Sequence, residues 1–195
     1  MFVVFVLIFV LCSPLTASVR RDTGLPEWTF DDVADLADWR DCHNLSPASN
    51  IVKVKSTNGV ERNVLRLRTT GDNPYIYPGG SVPNWESFSG DEHKIIYIGV
   101  RVKRSDTWQI DYVTGKSGSY EDAQSRKFLV NATPDFVDLE FDMQWESTIR
   151  SFRIHPGTNM NKVTEIDYLS LQGPVAVTKP PRKLATTWGR IKDLF

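Results

Sequence analysis

Hydrophobic and polar residues alternate along most of this chain with a period of two, the signature of strands that bury one face. In the segment KIIYIGVRVKR, Ile96, Ile98, Val100 and Val102 share one face. Trp108, Ile110 and Tyr112 do the same, with Gln109 and Asp111 opposite. From Phe136 to Met143 the pattern is cleanest, with Val137, Leu139, Phe141 and Met143 set against Asp138, Glu140 and Asp142. Leu65 and Leu67 alternate with Arg66 and Arg68, and further strands are predicted over Ile51–Lys55, Lys127–Val130, Ile149–Ile154 and Val163–Leu171.

The breaks carry turn chemistry: Asn58-Gly59, Gly71-Asp72-Asn73-Pro74, Pro78-Gly79-Gly80 and Pro156-Gly157. About eight short strands spaced by such turns predict an all-β fold, an antiparallel β-sandwich or jelly roll. Helix is scarce in the body, where only Asp31 to Asp38 fits a short turn. After Gly173 the character changes. Pro174, Pro180 and Pro181 make a stiff linker, and Leu184, Trp188, Ile191 and Leu194 then fall at helical spacing. A small amphipathic helix and a disordered tail both fit that pattern.

At the other end, Phe2 to Cys12 is an unbroken apolar run of eleven residues. A membrane-spanning helix needs about 20, whereas a signal-peptide core needs 7–15. Small residues follow at Ala17 and Ser18, although no Lys or Arg precedes the run. The chain is therefore expected to carry a signal peptide over 1–17 and to be secreted to an extracellular setting. Arg20-Arg21, in the segment 18–27, is a candidate dibasic processing point. A sandwich domain over 28–173 and a Pro-linked basic tail over 174–195 complete the expected organisation. No other segment is apolar enough to cross a membrane.

Charge adds a partner constraint. The formal net charge is −1, but the tail from Lys179 holds five basic residues and one acidic, which with Arg20 and Arg21 leaves about −7 on the body. An acidic body argues against nucleic acid, which needs clustered Lys and Arg. Of the two cysteines, Cys12 lies in the apolar leader, so Cys42 has no intrachain partner once the leader is removed. Cys42 is then either buried as a small hydrophobe or paired with another chain.

Enzyme motifs fail in turn. Gly115-Lys116-Ser117 ends like a phosphate-binding loop, yet Ile110 stands where its first Gly belongs. There is no G-x-S-x-G elbow, and His43, His93 and His155 form no zinc-binding motif. Carboxylates that share a strand face, Glu140 with Asp142 and Glu165 with Asp167, carry no readable separation for glycoside cleavage. Between Asp22 and Asp41 there are seven acidic residues and one basic, a composition that suits either a solvated loop or calcium, which takes several oxygen ligands. Among the 22 aromatic residues, Trp85, Tyr75 and Tyr77 lie in a Gly/Pro-rich loop, and Trp108 and Tyr112 lie on a strand. Flat rings of this kind suit the apolar faces of sugars, and they suit a core equally. Asn44-Leu45-Ser46 and Asn131-Ala132-Thr133 are sequons, each followed by a proline, Pro47 or Pro134.

From Trp28 to Leu171 the chain carries an ordered set of short blocks: WTFDD, Trp39, GDNPYIY, IGVRVKR with TWQIDYVT, and SFRIHPG with VTEIDYLSL. The set resembles the galactose-binding-like β-sandwich used by many carbohydrate-binding modules. That resemblance implies a structural calcium held by acids near the first and final strands, Asp31, Asp32 and Asp167. It also implies a sugar site on a concave sheet face or on the loops at one end, with Trp85, Trp108 and Tyr112 as candidates. The chain is expected to be a stand-alone module without an attached catalytic domain, and with its basic tail it looks like an extracellular matrix component, as in calcified shells. The leading expectation is thus a secreted, non-catalytic, glycan-binding domain with a structural calcium. The alternatives are a structural extracellular-matrix or biomineral protein and, behind it, a small glycan-active enzyme.

Overall fold

Two antiparallel sheets packed face to face realise the alternation. The computed structural model describes residues 25–31, 34–37, 39, 42–46, 51–79, 87–115, 120, 124–157 and 162–175. The expected signal peptide, Arg20-Arg21, Asp32, Trp85 and nearly all of the tail lie outside the described residues.

In chain order the elements are β1 (Glu27–Trp28), α1 (Ala34–Ala37), β2 (Cys42–His43), β3 (Leu45–Ser46), β4 (Ile51–Lys55), β5 (Glu61–Thr69) and β6 (Tyr75–Ile76). They continue as β7 (Phe88–Ser89), β8 (Ile95–Val102), β9 (Asp106–Thr114), β10 (Gln124–Val130), β11 (Val137–Asp142), β12 (Thr148–His155) and β13 (Val163–Ser170). The first sheet runs β11-β8-β13-β5-β3, with β1 on β13 and β4 on β5. The second runs β10-β9-β12-β6-β2, with β7 on β12. The chain is an all-β antiparallel sandwich of jelly-roll type, and α1 is a single turn. Among the described residues no helix is long and apolar enough to cross a membrane.

The inner faces follow from the pattern. Ile96, Ile98, Val100 and Val102 of β8 are fully buried against Trp108 and Ile110 of β9 and Phe152 and Ile154 of β12 within one core. Rings lock its ends by edge-to-face contact, which adds to the area they bury. Trp39 meets Trp28 at 5.5 Å and Phe30 at 5.2 Å, while Trp145 meets Phe88 at 5.2 Å and Tyr112 at 5.6 Å. The Asn58-Gly59 signal becomes the β4–β5 hairpin, with Gly59 at φ +81° and Ser56 N donating to Val60 O at 2.9 Å.

Two packing details could not be read from periodicity. Near Asp167 the β13 register shifts against β8, and Tyr168 comes to face Gly99. Its ring occupies the space of a Cβ at Gly99, which lets the Tyr168 hydroxyl cross β8 and donate to Asp138 on β11 at 2.9 Å. At the sandwich rim, Lys162 is buried, donating to Pro156 O at 3.0 Å and lying 3.5 Å from the Asp106 carboxylate. Burial pushes the Lys162 ammonium down, and Asp106 opposes that.

Candidate functional site

The outer face of the second sheet carries a polar cluster where an alternating strand would place solvated side chains. Because Trp108, Ile110 and Tyr112 point inward, Gln109 and Asp111 of β9 point outward, as do Ser151, Arg153 and His155 of β12. The strand register sets Arg153 opposite Asp111 and His155 opposite Gln109. Asp111 is nonetheless only 3% exposed. Its Oδ2 accepts from Arg153 Nε at 2.8 Å and from His155 Nε2 at 2.9 Å, and its Oδ1 accepts from Gln109 Nε2 at 2.7 Å. Arg153 Nη2 also lies 2.8 Å from Oδ2. Burial alone would raise the Asp111 carboxyl, but the donors from His155, Gln109 and Arg153 outweigh it and hold the group at about 2.

Aromatic rings cover this row. In Tyr75-Ile76-Tyr77 the middle residue is buried in the core, so the two tyrosines project together to the other side. β6 pairs with β2, which brings His43 beside Tyr75, stacked at 5.1 Å and 20°. The Arg153 guanidinium lies 4.7 Å from the Tyr75 ring centre and 4.9 Å from that of Tyr120, two cation–π contacts on one plane. Tyr77 joins both tyrosines edge-on, at 5.4 Å to Tyr75 and 5.2 Å to Tyr120. Tyr75 also meets the His155 ring at 5.4 Å. Burial pushes the Tyr120 hydroxyl far above the usual phenol range.

The chemistry of this arrangement is that of a rigid polar–aromatic surface. Asp111 has its lone pairs committed to neighbouring side chains, so it positions Arg153 and His155 and offers nothing to an incoming group. The groups left partly exposed to a ligand are the Arg153 guanidinium, His43 and Tyr75. An Asp–His pair also invites comparison with a nucleophile relay. Ser151, however, precedes His155 by four residues on the same strand, about 13 Å away, too far to serve as that hydroxyl.

The residues singled out from the sequence fall differently. Trp108 is fully buried against Phe141, its indole N–H without a hydrogen-bond partner among the described residues, and Tyr112 is 3% exposed with its hydroxyl donating to Gln124 at 2.6 Å. The inward side of β9 therefore gives both rings to packing, and neither presents a face to a ligand. Asp31 and Asp167 do come near one another, since Asp31 is among the charges that raise the Asp167 carboxyl. Burial is the larger cause of that rise, and Arg62, ion-paired with Asp167, opposes it. Arg62 occupies the Asp167 carboxylate, and among the described residues no group of three or more His, Cys, Asp or Glu is placed to hold a metal. Cys42 is half-buried in β2 with its Sγ 3.9 Å from Leu45 O.

On the outer face of the first sheet, Glu165 is clamped by Arg66 and Arg101, each at 2.6 Å, and Phe136 lies under both Arg62 and Arg101. A shallow depression of about 640 Å³ opens beyond it, lined by Arg101, Lys103, Ala132, Thr133 and Pro134, remote from Asp111.

The missed residues of the cluster, Asp111, Arg153, His155, Tyr120 and His43, had a partial signal. Polar residues at alternate positions in both WQIDY and SFRIHPG mark one face of two strands, and YIY marks a second projecting pair. What no local pattern contains is that these faces meet.

No protein-family model matches the chain, and no curated protein matches it. Among solved structures its fold resembles carbohydrate-binding modules. A family 29 carbohydrate-binding module aligns at 7% identity and a TM-score of 0.44, over 76% of this chain and 77% of that one. CsCBM6-3 from Clostridium stercorarium, in complex with cellobiose, aligns at 10% identity and 0.43, over 75% and 92%. The family 30 module of a cellulosomal cellulase of Clostridium thermocellum aligns at 9% identity and 0.47, over 75% and 96%. The likeness is one of strand arrangement.

Proposed function

We propose that this chain is a non-catalytic extracellular domain that binds glycans through the outer face of its second sheet. The supporting observation is Arg153, held against both Tyr75 and Tyr120 and bonded to a buried, ionised Asp111. Rings and a fixed planar donor side by side suit a pyranose, which presents an apolar face and a rim of hydroxyls. Arg153 and Asp111 cancel in charge, so the surface favours neutral glycans over sulfated or uronic ones.

A glycan array followed by titration with the best polysaccharide tests this. Arg153→Lys and Tyr75→Ala are expected to weaken binding at least 10-fold, about 1.4 kcal/mol, with a cooperative melting transition retained. Absence of binding to any polysaccharide sinks the reading. Co-purification with an insoluble matrix, together with that absence, supports the structural-matrix reading instead.

A calcium at Asp31 and Asp167 is a separate proposal, and it requires Arg62 to release Asp167. If it forms, EDTA lowers the melting temperature and added calcium restores it. An unchanged transition removes calcium from the account.

A further inference from the structure

We propose that Asn131 carries an N-linked glycan whose first sugar covers Leu129, and that the second sequon asparagine, Asn44, stays bare. Both sequons are followed by a proline, and they differ in carrying Ser46 or Thr133 at the third position. The fold separates them further.

Asn131 leaves the end of β10, the edge strand of the second sheet, and is exposed. The turn that follows is pinned to neighbouring elements. Ala132 N donates to Ser105 Oγ at 2.8 Å and Thr133 N donates to Val102 O at 2.8 Å. Asn44, in contrast, is half-buried at φ +51°, and its Nδ2 donates to Asp72 O. It packs so closely on Gly71 that a Cβ there would stand 2.9 Å from the Asn44 Cγ. A sugar on that nitrogen would have to displace the turn at Gly71 and Asp72.

Leu129 supplies an independent reason. Among the described residues it is the exposed large hydrophobic side chain, at 72%. Val130 points into the core at 2% exposure, so Leu129 and Asn131 project to the same outer side, about 7 Å apart along the strand. An apolar residue on an open strand edge invites pairing with other chains. The C–H face of an N-acetylglucosamine on Asn131 would lie over Leu129, remove it from water and place a bulky polar group on the edge.

The reaction requires a secretory compartment, as the apolar leader predicts, and a lipid-pyrophosphate-linked oligosaccharide as donor. Asn131 Nδ2 forms a bond to the anomeric carbon of the first sugar. The bond from that carbon to the pyrophosphate oxygen breaks, lipid pyrophosphate leaves, and the amide gives up one proton to the transferase's base.

The test expresses the full chain in a eukaryotic secretory cell and reads both extract and medium by intact mass, before and after an amide-cleaving glycosidase. One glycan is expected on the wild-type chain and on Asn44→Gln, and none on Asn131→Gln. A wild-type chain without glycan, or a glycan that persists in Asn131→Gln, overturns the assignment. Trimming to a single N-acetylglucosamine should keep the melting temperature above that of Asn131→Gln, and Leu129→Ser should abolish the difference. Equal melting of the trimmed and bare chains overturns the covering of Leu129.

Discussion

Replacing Asp106 by alanine is expected to destabilise the folded chain by about 3–5 kcal/mol, the scale on which removing one partner of a buried ion pair acts. Lys162 has a fully buried side chain, 3.5 Å from Asp106 and 5.8 Å from the Trp108 ring centre, and among the described residues its other polar contact is Pro156 O. Without Asp106 the ammonium keeps, among those residues, one carbonyl and no counter-charge. Chemical denaturation of wild type, Asp106→Ala, Lys162→Met and the double variant measures the coupling. The double variant should recover most of the loss, because an apolar pair costs no desolvation of charge. A loss below about 1 kcal/mol, or no recovery, would reject the role given to this pair. The pH dependence adds a second reading. Burial depresses the folded pKa of Lys162 below its ordinary 10.5, so between those values the unfolded chain binds more protons and stability rises with pH. Removing Asp106 also removes the charge that opposes the depression, so the window should widen toward lower pH.

The second large effect concerns Asp111. Holding its carboxyl at about 2 rather than 3.8 corresponds to about 2 kcal/mol of stability. The folded pKa lies below the unfolded one, so this contribution is complete above about pH 4–5 and is lost as pH falls through 2. Acid titration of wild type should therefore show a loss of stability in that window that Asp111→Asn lacks. At neutral pH the same variant should be less stable than wild type by a similar amount. Its effect on glycan binding should follow Arg153, since the asparagine can no longer neutralise the guanidinium or hold it in place. Identical acid profiles for the two proteins would show that Asp111 is not the group responsible.

The fold was legible to an unusual depth in some segments and not in others. β8, β9 and β12 were readable because one face of each enters the core, and a local period of two records that choice. The Asn58-Gly59 turn was readable because glycine alone adopts φ +81° without strain. The short strands β2, β3, β6 and β7, of two residues each, left no period to detect. Trp108 and Tyr112 share the apolar face of β9 with Ile110, and that alternation already assigns them to the core; sugar-binding chemistry suits such rings only on the opposite face. The Gly/Pro-rich surroundings of Tyr75 and Tyr77 mark them as loop aromatics, whereas alternation alone places Asp111 on the solvated side of β9.

What this sequence determined by itself is the set of strands and turns in an all-β chain, because backbone geometry ties side-chain direction to sequence position over a few residues. The tertiary structure decided which strands became neighbours and which faces were covered. Asp111 met Arg153 and His155 through the β9–β12 pairing, and Tyr75, Tyr77 and Tyr120 then closed over them. The same holds for Lys162 against Asp106 and for Asn131 against Asn44. Each depends on contacts between residues far apart in the chain, where burial and charge compensation act and local periodicity carries no information.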